Sequence, residues 1–453
     1  MSSENARFVT SSPFPRNYAA ELLNIVSGKG VYVTDASGKR YLDFGSGIAV
    51  NALGYGLKDL SRRLRRQVKE LVHISNLFAN TPAVELARRL LELRVEGSEK
   101  RFAAVHFGNS GAEANEAAIK YARLYAMATK GPGHHKMLSF SHGFHGRTLG
   151  ALSVTPTEKY RRKFEPLIPG CESAPYNDPE AARNAIDSSF AAVIVEVVQG
   201  EGGLTVMSEE FAKALNEACA AHDVILIADE IQTGLGRTGQ LLGSSVVGLD
   251  PDIVSLSKPL AAGLPLSATL IPAKVNDHVE VGDHGTTFGG GPVTAEAGLY
   301  MLERITAPGF LQGVRERAAH LDRRLGELVA DLPCVAGLRG TGLLRGLEIV
   351  ASANSAAGKP GSTGPGSNAP GPGSVGQPGS TGPGNSAAGT DQPERTAEAG
   401  AERLGDIMKG ARERGLLILR SGKNILRIAP PLIITEKEID RGVEILRSVL
   451  EEE

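Results

Sequence analysis

The segment DVILIADEIQTG, residues 223–234, is the part of the sequence that decides the fold most directly. Five consecutive apolar residues are followed at once by Asp229 and Glu230. A short apolar run with an abrupt polar end is typical of a buried strand in a parallel sheet. A carboxylate at the end of such a strand is costly unless a cationic group meets it. We therefore predict that Asp229 faces a positive group, such as a protonated ring nitrogen.

The segment IVSLSKPLAAGLP, residues 253–265, has the same character and carries Lys258 among apolar and small residues. Lysine is rarely buried unless it is paired or chemically used. A lysine removed from water loses its proton more easily and can then form an imine with an aldehyde. The structural alternatives are a helix N-cap for Asp229 and a surface ion pair for Lys258. Neither alternative explains why both residues follow apolar strands.

The rest of the middle of the chain alternates between strands and helices. Further strands are expected at residues 103–108, 136–140 and 190–195, and helices at Ala112–Ala126 and Glu209–His222. This alternation predicts an α/β domain with parallel strands and crossover helices. Ligands of such domains bind beyond the carboxyl ends of the strands, which is where Asp229 and Lys258 fall.

A phosphate site is expected in FGNSGAEANEAAIKYAR, residues 107–123, where a strand, a turn and a helix follow one another. Unpaired N–H groups and the dipole at a helix start favour an anion, and Ser110, Gly111 and Ala112 are small enough for its close approach. A plain N-capped helix is the alternative. An imine-forming lysine, a carboxylate for a ring nitrogen and a phosphate site are together what pyridoxal phosphate needs.

The segment SFSHGFHGRTLGALSVT, residues 139–155, adds groups for a ring and a carboxylate. Phe144 can lie against a flat ring, and Arg147 can hold a carboxylate through two N–H groups. His142 and His145 suggest a metal site, but the sequence offers no carboxylate or cysteine at a fitting short spacing, so we expect no metal. No helix follows the GxG of residues 45–47 at the dinucleotide-binding spacing.

Composition narrows the class of protein further. The net charge is -2, which gives no electrostatic basis for binding nucleic acid or acidic membranes. Cys171, Cys219 and Cys334 are far apart and form no CxxC pair, as is usual in a reducing compartment. No secretory signal or membrane-spanning apolar run is evident, so a cytoplasmic protein is expected.

The chain of 453 residues is long enough for two unequal domains. We expect an N-terminal segment of residues 1–60 that packs with the small domain, a large cofactor-binding domain of residues 61–308, and a small α+β domain of residues 309–453. Residues 351–393 are nearly all Gly, Pro, Ser, Ala and Asn, with PGSTGPG repeated at 360 and 378. Such a segment has little to bury, so we expect a disordered insertion without a catalytic part.

Several motifs, taken in order, resemble the class III pyridoxal-phosphate aminotransferases of the ornithine-type subgroup. They are NSGAEANEAAIK, SHGFHGRTLGALS, VEVVQGEGG, ADEIQTGLGRTG, SLSKPLAAGLP, HGTTFGGGPV and ILRIAPPL. The likeness runs from about Pro15 to Leu450, apart from the insertion, and HGFHGRT, HGTTFGGGP and LRIAPPLIITEKEID are most similar to the acetylornithine branch. It implies a fold-type I transferase, with a large domain on a mainly parallel, seven-stranded sheet and a smaller α+β domain.

The resemblance also implies roles around the cofactor ring. Lys258 would hold the cofactor aldehyde as an imine and later carry the proton between substrate and cofactor. Asp229 would pair with the ring nitrogen and Gln232 would contact the ring hydroxyl. Phe144 and Ile231 would sandwich the ring.

Further roles concern the phosphate and the substrates. Gly111 and Ala112 would give N–H groups to the phosphate, and Thr287 would reach it from the neighbouring subunit of a homodimer with shared active sites. Thr286 would line the substrate pocket. Arg147 would bind the carboxylate of the acetylornithine-type donor. Arg427 would bind the α-carboxylate of glutamate or 2-oxoglutarate, and Glu201 would pair with Arg427 when that carboxylate is absent.

The implied reaction moves the ω-amino group of an acylated ornithine to 2-oxoglutarate, as in arginine biosynthesis. A 4-aminobutyrate- or ornithine-type ω-aminotransferase is the first alternative; a racemase or aminomutase on this scaffold and a non-catalytic α/β binding protein are others. The sequence departs from the family at YGLKDL, residues 55–60, where a His and a Pro are usual. At Ile48, ornithine enzymes usually carry a tyrosine, and an aliphatic residue there favours an acylated donor.

Overall fold

The computed structural model describes residues 15, 17, 23–350 and 403–452 of the chain. The predicted insertion at 351–393 lies outside these residues. The helices are α1 (Lys58–Glu70), α2 (Thr81–Leu90), α3 (Gly111–Lys130), α4 (Leu149–Ser153), α5 (Glu158–Arg161), α6 (Pro179–Ala185), α7 (Glu209–Ala221), α8 (Ala273–Asn276), α9 (Pro292–Ile305), α10 (Phe310–Asp331), α11 (residues 403–413) and α12 (Glu436–Glu452). No helix in the described part is long and apolar enough to cross a membrane.

A seven-stranded sheet forms the centre of the molecule. Its strands, in spatial order, are β4 (Phe102–Gly108), β10 (Ser267–Pro272), β9 (Ile253–Leu256), β8 (Ile225–Asp229), β7 (Phe190–Val195), β5 (Lys136–Phe140) and β6 (Cys171–Ala174). The strands from β9 to β6 are parallel to one another, whereas β10 runs antiparallel to both of its neighbours. The predicted mainly parallel sheet of an α/β fold is confirmed.

The middle strands are buried because helices cover both faces of the sheet. Every residue of β7 and β8 is buried, which explains their continuous apolar sequence. Helix α3 packs on β4, β7, β9 and β10, and α7 packs on β8. Helix α3 also buries an alanine-rich face, so that it can approach the sheet closely.

Two smaller sheets of four strands each complete the fold. Strands β1 (Ile25–Lys29), β2 (Tyr32–Asp35) and β3 (Arg40–Asp43) pair antiparallel in chain order, and β13 (Leu416–Leu417) adds to β3 in parallel. The other sheet has the order β11 (Val335–Thr341), β12 (Leu344–Ile349), β15 (Ile425–Ile428) and β14 (Leu419–Ser421). The N-terminal segment is thus hydrogen-bonded to a C-terminal strand. Helix α1 begins at Lys58, so the boundary drawn after residue 60 falls inside a helix.

Candidate active site

The site lies where β8 and β9 end. The two strands are parallel neighbours, with Asp229 opposite Ser255. Lys258 follows three residues after Ser255, and the N–H of Glu230 donates to the Ser255 carbonyl at 3.0 Å. The structure therefore brings the predicted carboxylate and lysine to the same edge of the sheet.

Lys258 is held in surroundings that favour its neutral form. Its Nζ donates to Oε1 of Gln232 at 2.6 Å. Burial, and then the positive charge of Arg427, lower the pKa of Lys258 to about 8, although Glu201, Glu196 and Asp229 act in the opposite direction. A much larger fraction of this amine is neutral near pH 7 than for an ordinary lysine, as nucleophilic attack requires.

Asp229 is buried, and hydrogen bonds fix the orientation of its carboxylate. Its Oδ2 accepts a hydrogen bond from Nδ2 of Asn115 at 2.8 Å and lies 2.8 Å from Nδ1 of His145. Its Oδ1 accepts a longer bond from the N–H of Ile231, at 3.2 Å. Because two groups already occupy Oδ2, Oδ1 is the atom with capacity left for a ring nitrogen.

Two further buried ionisable groups, His145 and Glu196, lie near Asp229. Burial acts to lower the pKa of His145, but the hydrogen bond and charge of Asp229 outweigh it, so the pKa is raised. Burial raises the pKa of Glu196 to about 7, with His145 opposing and Asp229 reinforcing the change. Glu196 accepts hydrogen bonds from the N–H groups of Phe144 at 2.9 Å and Gly200 at 3.1 Å, and so joins two loops of the site.

The start of helix α3 has the open N–H groups that the sequence predicts. The Oγ of Ser110 accepts from the N–H of Glu113 at 3.3 Å, and the Glu113 carboxylate accepts from the N–H of Asn109 at 2.6 Å. Ser110 thus caps the helix. Within the described residues, the N–H groups of Gly111 and Ala112 have no hydrogen-bond acceptor, so they are available to an anion.

The same helix start lies against the residues expected to face the ring. A Cβ added at Gly111 would lie 2.8 Å from Cγ2 of Ile231, and one added at Gly146 would lie 2.8 Å from Cβ of Ala112. Glycine is required at both positions by this close packing. The loop that carries Phe144 and the turn that carries Ile231 therefore both approach the N-terminus of α3.

These residues fit pyridoxal phosphate. Lys258 is a partly neutral amine for the aldehyde, Asp229 has one open carboxylate oxygen for the ring nitrogen, and the start of α3 suits the phosphate. Gln232 also supports binding of the cofactor, because its Nε2 is buried without a hydrogen-bond partner in the part of the chain described. A buried unpaired N–H is costly, and a ring oxygen would satisfy it.

Arg427 and Glu201 are in direct contact. Nη1 of Arg427 donates to Oε1 of Glu201 at 2.6 Å and to the carbonyl of Gly200 at 3.1 Å. The arginine side chain is only 4% exposed, whereas that of Glu201 is 30% exposed. Glu201 is the more exposed partner and the one with room to move away.

Arg147 has quite different surroundings. It is exposed, and its guanidinium carbon lies 3.9 Å from the ring centroid of Tyr160 and 5.4 Å from that of Phe144. It forms no ion pair with any carboxylate that the structure describes. Its N–H groups are therefore available to a substrate carboxylate.

Thr286 and Thr287 share a cavity that Lys258 does not line. They line a cavity of about 600 Å³ together with His106, Asn109 and His284. The Oγ1 of Thr286 accepts from the N–H of Gly289 at 3.1 Å, and Thr287 is exposed. Asn109 precedes Ser110, so this cavity borders the helix start that suits a phosphate.

Sequence reasoning missed four residues of the site. Asn115 and His145 hold Asp229, Glu196 joins two loops, and Tyr160 supports Arg147. For His145, the sequence suggests only a metal site, which the residue spacing does not support. Asn115 follows Gly111 by four residues, so helical spacing from the phosphate-binding turn is a signal that could have found it.

Comparisons with known proteins agree with this geometry. The model of the family "Aminotransferase class-III" matches residues 14–450. The chain is 38% identical to an acetylornithine aminotransferase of Caldanaerobacter subterraneus subsp. tengcongensis, with 94% of each chain covered. It is also 38% identical to a mitochondrial acetylornithine aminotransferase of Alnus glutinosa, over 96% of this chain and 84% of that one.

Among solved structures, an ornithine aminotransferase of Toxoplasma gondii, in which pyridoxal phosphate partly occupies the active site, is similar to this chain. Its TM-score is 0.81 at 29% identity, with 99% of this chain and 95% of that chain covered. The similarity extends over both the central sheet and the smaller sheets.

Proposed function

The chain belongs to the class-III aminotransferases, and we propose that it transfers the ω-amino group of N-acetylornithine, or a similar acylated diamino acid, to 2-oxoglutarate. The products are a semialdehyde and glutamate, and the reaction is a step of arginine biosynthesis. The enzyme is a pyridoxal-phosphate-dependent transaminase. The observation that carries the proposal is the contrast between Arg427, which is paired with Glu201, and Arg147, which has no carboxylate partner among the described residues.

The residues around Lys258 divide the chemical work. When bound, pyridoxal phosphate supplies an aldehyde for the amine and a ring that accepts the electron pair released from the substrate. Lys258 would hold the cofactor through its Nζ and would carry a proton on the same atom between substrate and cofactor. Asp229 keeps the ring nitrogen protonated through Oδ1, while Asn115 and His145 fix the position of its carboxylate.

We assign the remaining cofactor contacts to side chains around the ring and to one helix start. Gln232 donates from its unpartnered Nε2 to the ring hydroxyl, and Phe144 and Ile231 enclose the ring. The N–H groups of Gly111 and Ala112 bind the phosphate at the start of α3. The side chain of Ser110 acts mainly as the helix cap.

Two arginines allow one site to accept two kinds of substrate. Arg147 binds the carboxylate of the amino donor through N–H groups that are open in this structure. Glu201 neutralises Arg427 while the donor is bound, so that no second carboxylate is needed. When 2-oxoglutarate enters, its α-carboxylate takes the place of Glu201 on Arg427. Glu201 can leave because it is the more exposed partner.

The proposal includes a homodimer with shared sites. Thr287 is exposed and its side chain has no hydrogen-bond partner among the described residues of its own chain, which supports a role at the phosphate of the neighbouring subunit. Thr286 lines the substrate pocket from the same segment. Large apolar side chains are exposed close by, namely Leu77 at 88%, Phe78 at 63% and Phe288 at 65%, as expected for a surface that a second copy covers.

A comparison of amino donors tests the function. Purified enzyme with pyridoxal phosphate and 2-oxoglutarate is assayed with N-acetylornithine, ornithine and 4-aminobutyrate, and glutamate formation is measured. We expect the highest kcat/KM with N-acetylornithine. A preference for ornithine would favour the activity named for the Toxoplasma gondii structure. Absence of glutamate formation with every donor would contradict transamination and favour a racemase or aminomutase.

The cytoplasm is the compartment we propose, and a mitochondrial location is the alternative, since the Alnus glutinosa relative is named as mitochondrial. Microscopy of the tagged full-length chain in its own cells decides between them. Co-localisation with a mitochondrial marker would refute the cytoplasmic assignment.

A further inference from the structure

Tyr160 and Arg147 form a stacked pair beside the cofactor site. The guanidinium carbon of Arg147 lies 3.9 Å from the centroid of the Tyr160 ring, close enough for a strong cation–π contact. The Tyr160 ring also meets Phe144 edge to face, with centroids 5.9 Å apart and planes at 81°. Tyr160 thus contacts both the arginine proposed for the substrate and the aromatic residue proposed for the cofactor ring.

At 3.9 Å between the guanidinium carbon and the ring centroid, there is no space for an N–H group to point at the ring, so the contact involves the face of the guanidinium and leaves its edges open. A carboxylate binds arginine in the plane of the group, through parallel N–H bonds. An aromatic ring beneath that plane does not compete for these bonds. Glu201, in contrast, occupies an N–H group of Arg427 directly, at 2.6 Å. Arg427 is therefore blocked until Glu201 leaves, whereas Arg147 is held in place with its N–H groups open.

Stacking also restricts the conformations that the Arg147 side chain can adopt. The side chain is exposed and has no carboxylate partner within the described ranges 23–350 and 403–452, so its orientation depends on its contacts with Tyr160 and, at a longer 5.4 Å, with Phe144. A free arginine loses much conformational freedom when a ligand orders it, and that loss weakens binding. A ring already beneath the guanidinium reduces the loss.

We infer that Tyr160 is a positioning residue that sets the affinity for the donor carboxylate by holding Arg147 in its open, binding-ready orientation. The inference rests on the proposed role of Arg147. The hydroxyl of Tyr160 makes no hydrogen bond in the part of the chain that the structure describes, so the ring is the active part of the side chain. A Tyr160→Phe variant should therefore keep the function that Tyr160→Leu loses.

The test compares donors that differ only in the carboxylate. N-acetylornithine carries it, and N-acetyl-1,4-diaminobutane does not. Tyr160→Leu should raise KM for N-acetylornithine about fivefold with little change in kcat, and leave the second donor unaffected. Tyr160→Phe should restore the wild-type KM. Lys159→Ala, on the same short helix and exposed, is the matched control for disturbance of α5.

A double-mutant cycle with Arg147→Ala separates positioning from a merely structural effect. In the Arg147→Ala background, Tyr160→Leu should not raise KM further, because the group that it positions is gone. Cofactor absorbance and the midpoint of thermal unfolding show whether each variant is folded and loaded. Equal losses for both donors, failure of Tyr160→Phe to restore KM, or full additivity with Arg147→Ala would each overturn the inference.

The wild-type enzyme tests the proposed donor independently. If it does not use N-acetylornithine, the same comparison is made with ornithine and 1,4-diaminobutane, which also differ by one carboxylate. A positioning role then predicts the same selective rise in KM for ornithine. Failure of the proposed donor and failure of the Tyr160 inference are distinguishable, because the first appears in the wild-type enzyme and the second only in the variants.

Discussion

At the residue scale, the pKa of Lys258 shows how a site controls a single proton. Burial disfavours the ammonium, and the positive charge of Arg427 lowers the pKa in the same direction. Arg427 is in turn neutralised in part by Glu201, 2.6 Å away. The ion pair proposed to select substrates therefore also adjusts the nucleophile.

This coupling predicts opposite pH shifts for two substitutions. In the cofactor-free wild-type enzyme, the rate of covalent capture of pyridoxal phosphate should rise with pH and level off above about 8, as Lys258 becomes neutral. Arg427→Met removes a charge that lowers the pKa and leaves Glu201 unpaired, so its midpoint should move to higher pH. Glu201→Gln leaves Arg427 unneutralised, so its midpoint should move lower. Stopped-flow absorbance against pH measures all three.

Shifts in the same direction for the two variants would show that the charges act indirectly, through a change of structure. Lys258→Ala serves as the baseline, because it should show no covalent capture at any pH.

At the element scale, the first turn of α3 does several things at once. It begins at a serine cap, presents the N–H groups of Gly111 and Ala112, and sends Asn115 to Asp229 one turn later. The 3.6-residue period places Asn115 on the same side of the helix as Gly111. In the proposed site, one helix would therefore position both the phosphate end and the nitrogen end of the cofactor.

A pair of glycine substitutions tests this arrangement. Gly111→Ala would put a Cβ 2.8 Å from Cγ2 of Ile231, so the helix start or the Ile231 turn must move, at a cost of about 1–3 kcal/mol. We expect the dissociation constant of pyridoxal phosphate, measured by absorbance titration of the cofactor-free enzyme, to rise about tenfold or more.

Gly326→Ala is the matched control within a helix. Gly326 lies inside α10, and an added Cβ would meet nothing within 4 Å. This change should raise the free energy of unfolding by about 0.5–1 kcal/mol and leave cofactor affinity unchanged. An unchanged cofactor affinity in Gly111→Ala would refute the role given to the start of α3.

At the scale of the whole molecule, the site is assembled from distant parts of the chain. Arg427 comes from β15 of a small sheet, and its Nη1 reaches the Gly200 carbonyl in the loop after β7. Strand β13 pairs with β3, so the C-terminal part is also tied to the N-terminal hairpin. The position of the small sheets therefore sets the distance between Arg427 and Lys258.

Hybrid dimers test whether sites are shared between subunits. Lys258→Ala and Thr287→Val chains with different tags are co-expressed and the mixed dimer is purified. If Thr287 serves the neighbouring site, the hybrid has one intact site and should regain about half of the wild-type activity. Homodimers of each variant, purified in parallel, are the controls. A hybrid no more active than the mean of its parents would place Thr287 in its own subunit's site, or outside any site.

The sequence predicted the central sheet well because its signals are local. Apolar runs that end in Asp229 or precede Lys258 specify buried strands, and parallel strands must end at the same edge. Helix α3 was also expected from nearby residues alone. The family motifs then supplied roles for residues such as Arg427 that local pattern left ambiguous.

Only the tertiary structure decided which side chains meet across the chain. The contact of Asn115 and His145 with Asp229, and the 3.9 Å stack of Arg147 on Tyr160, join residues whose sequence neighbourhoods give no sign of each other. Strand and helix formation depends on short-range periodicity, whereas these contacts depend on how finished elements pack. The sequence by itself therefore determined the α/β fold and the Lys258–Asp229 pair. Packing decided which other side chains orient the residues of the site.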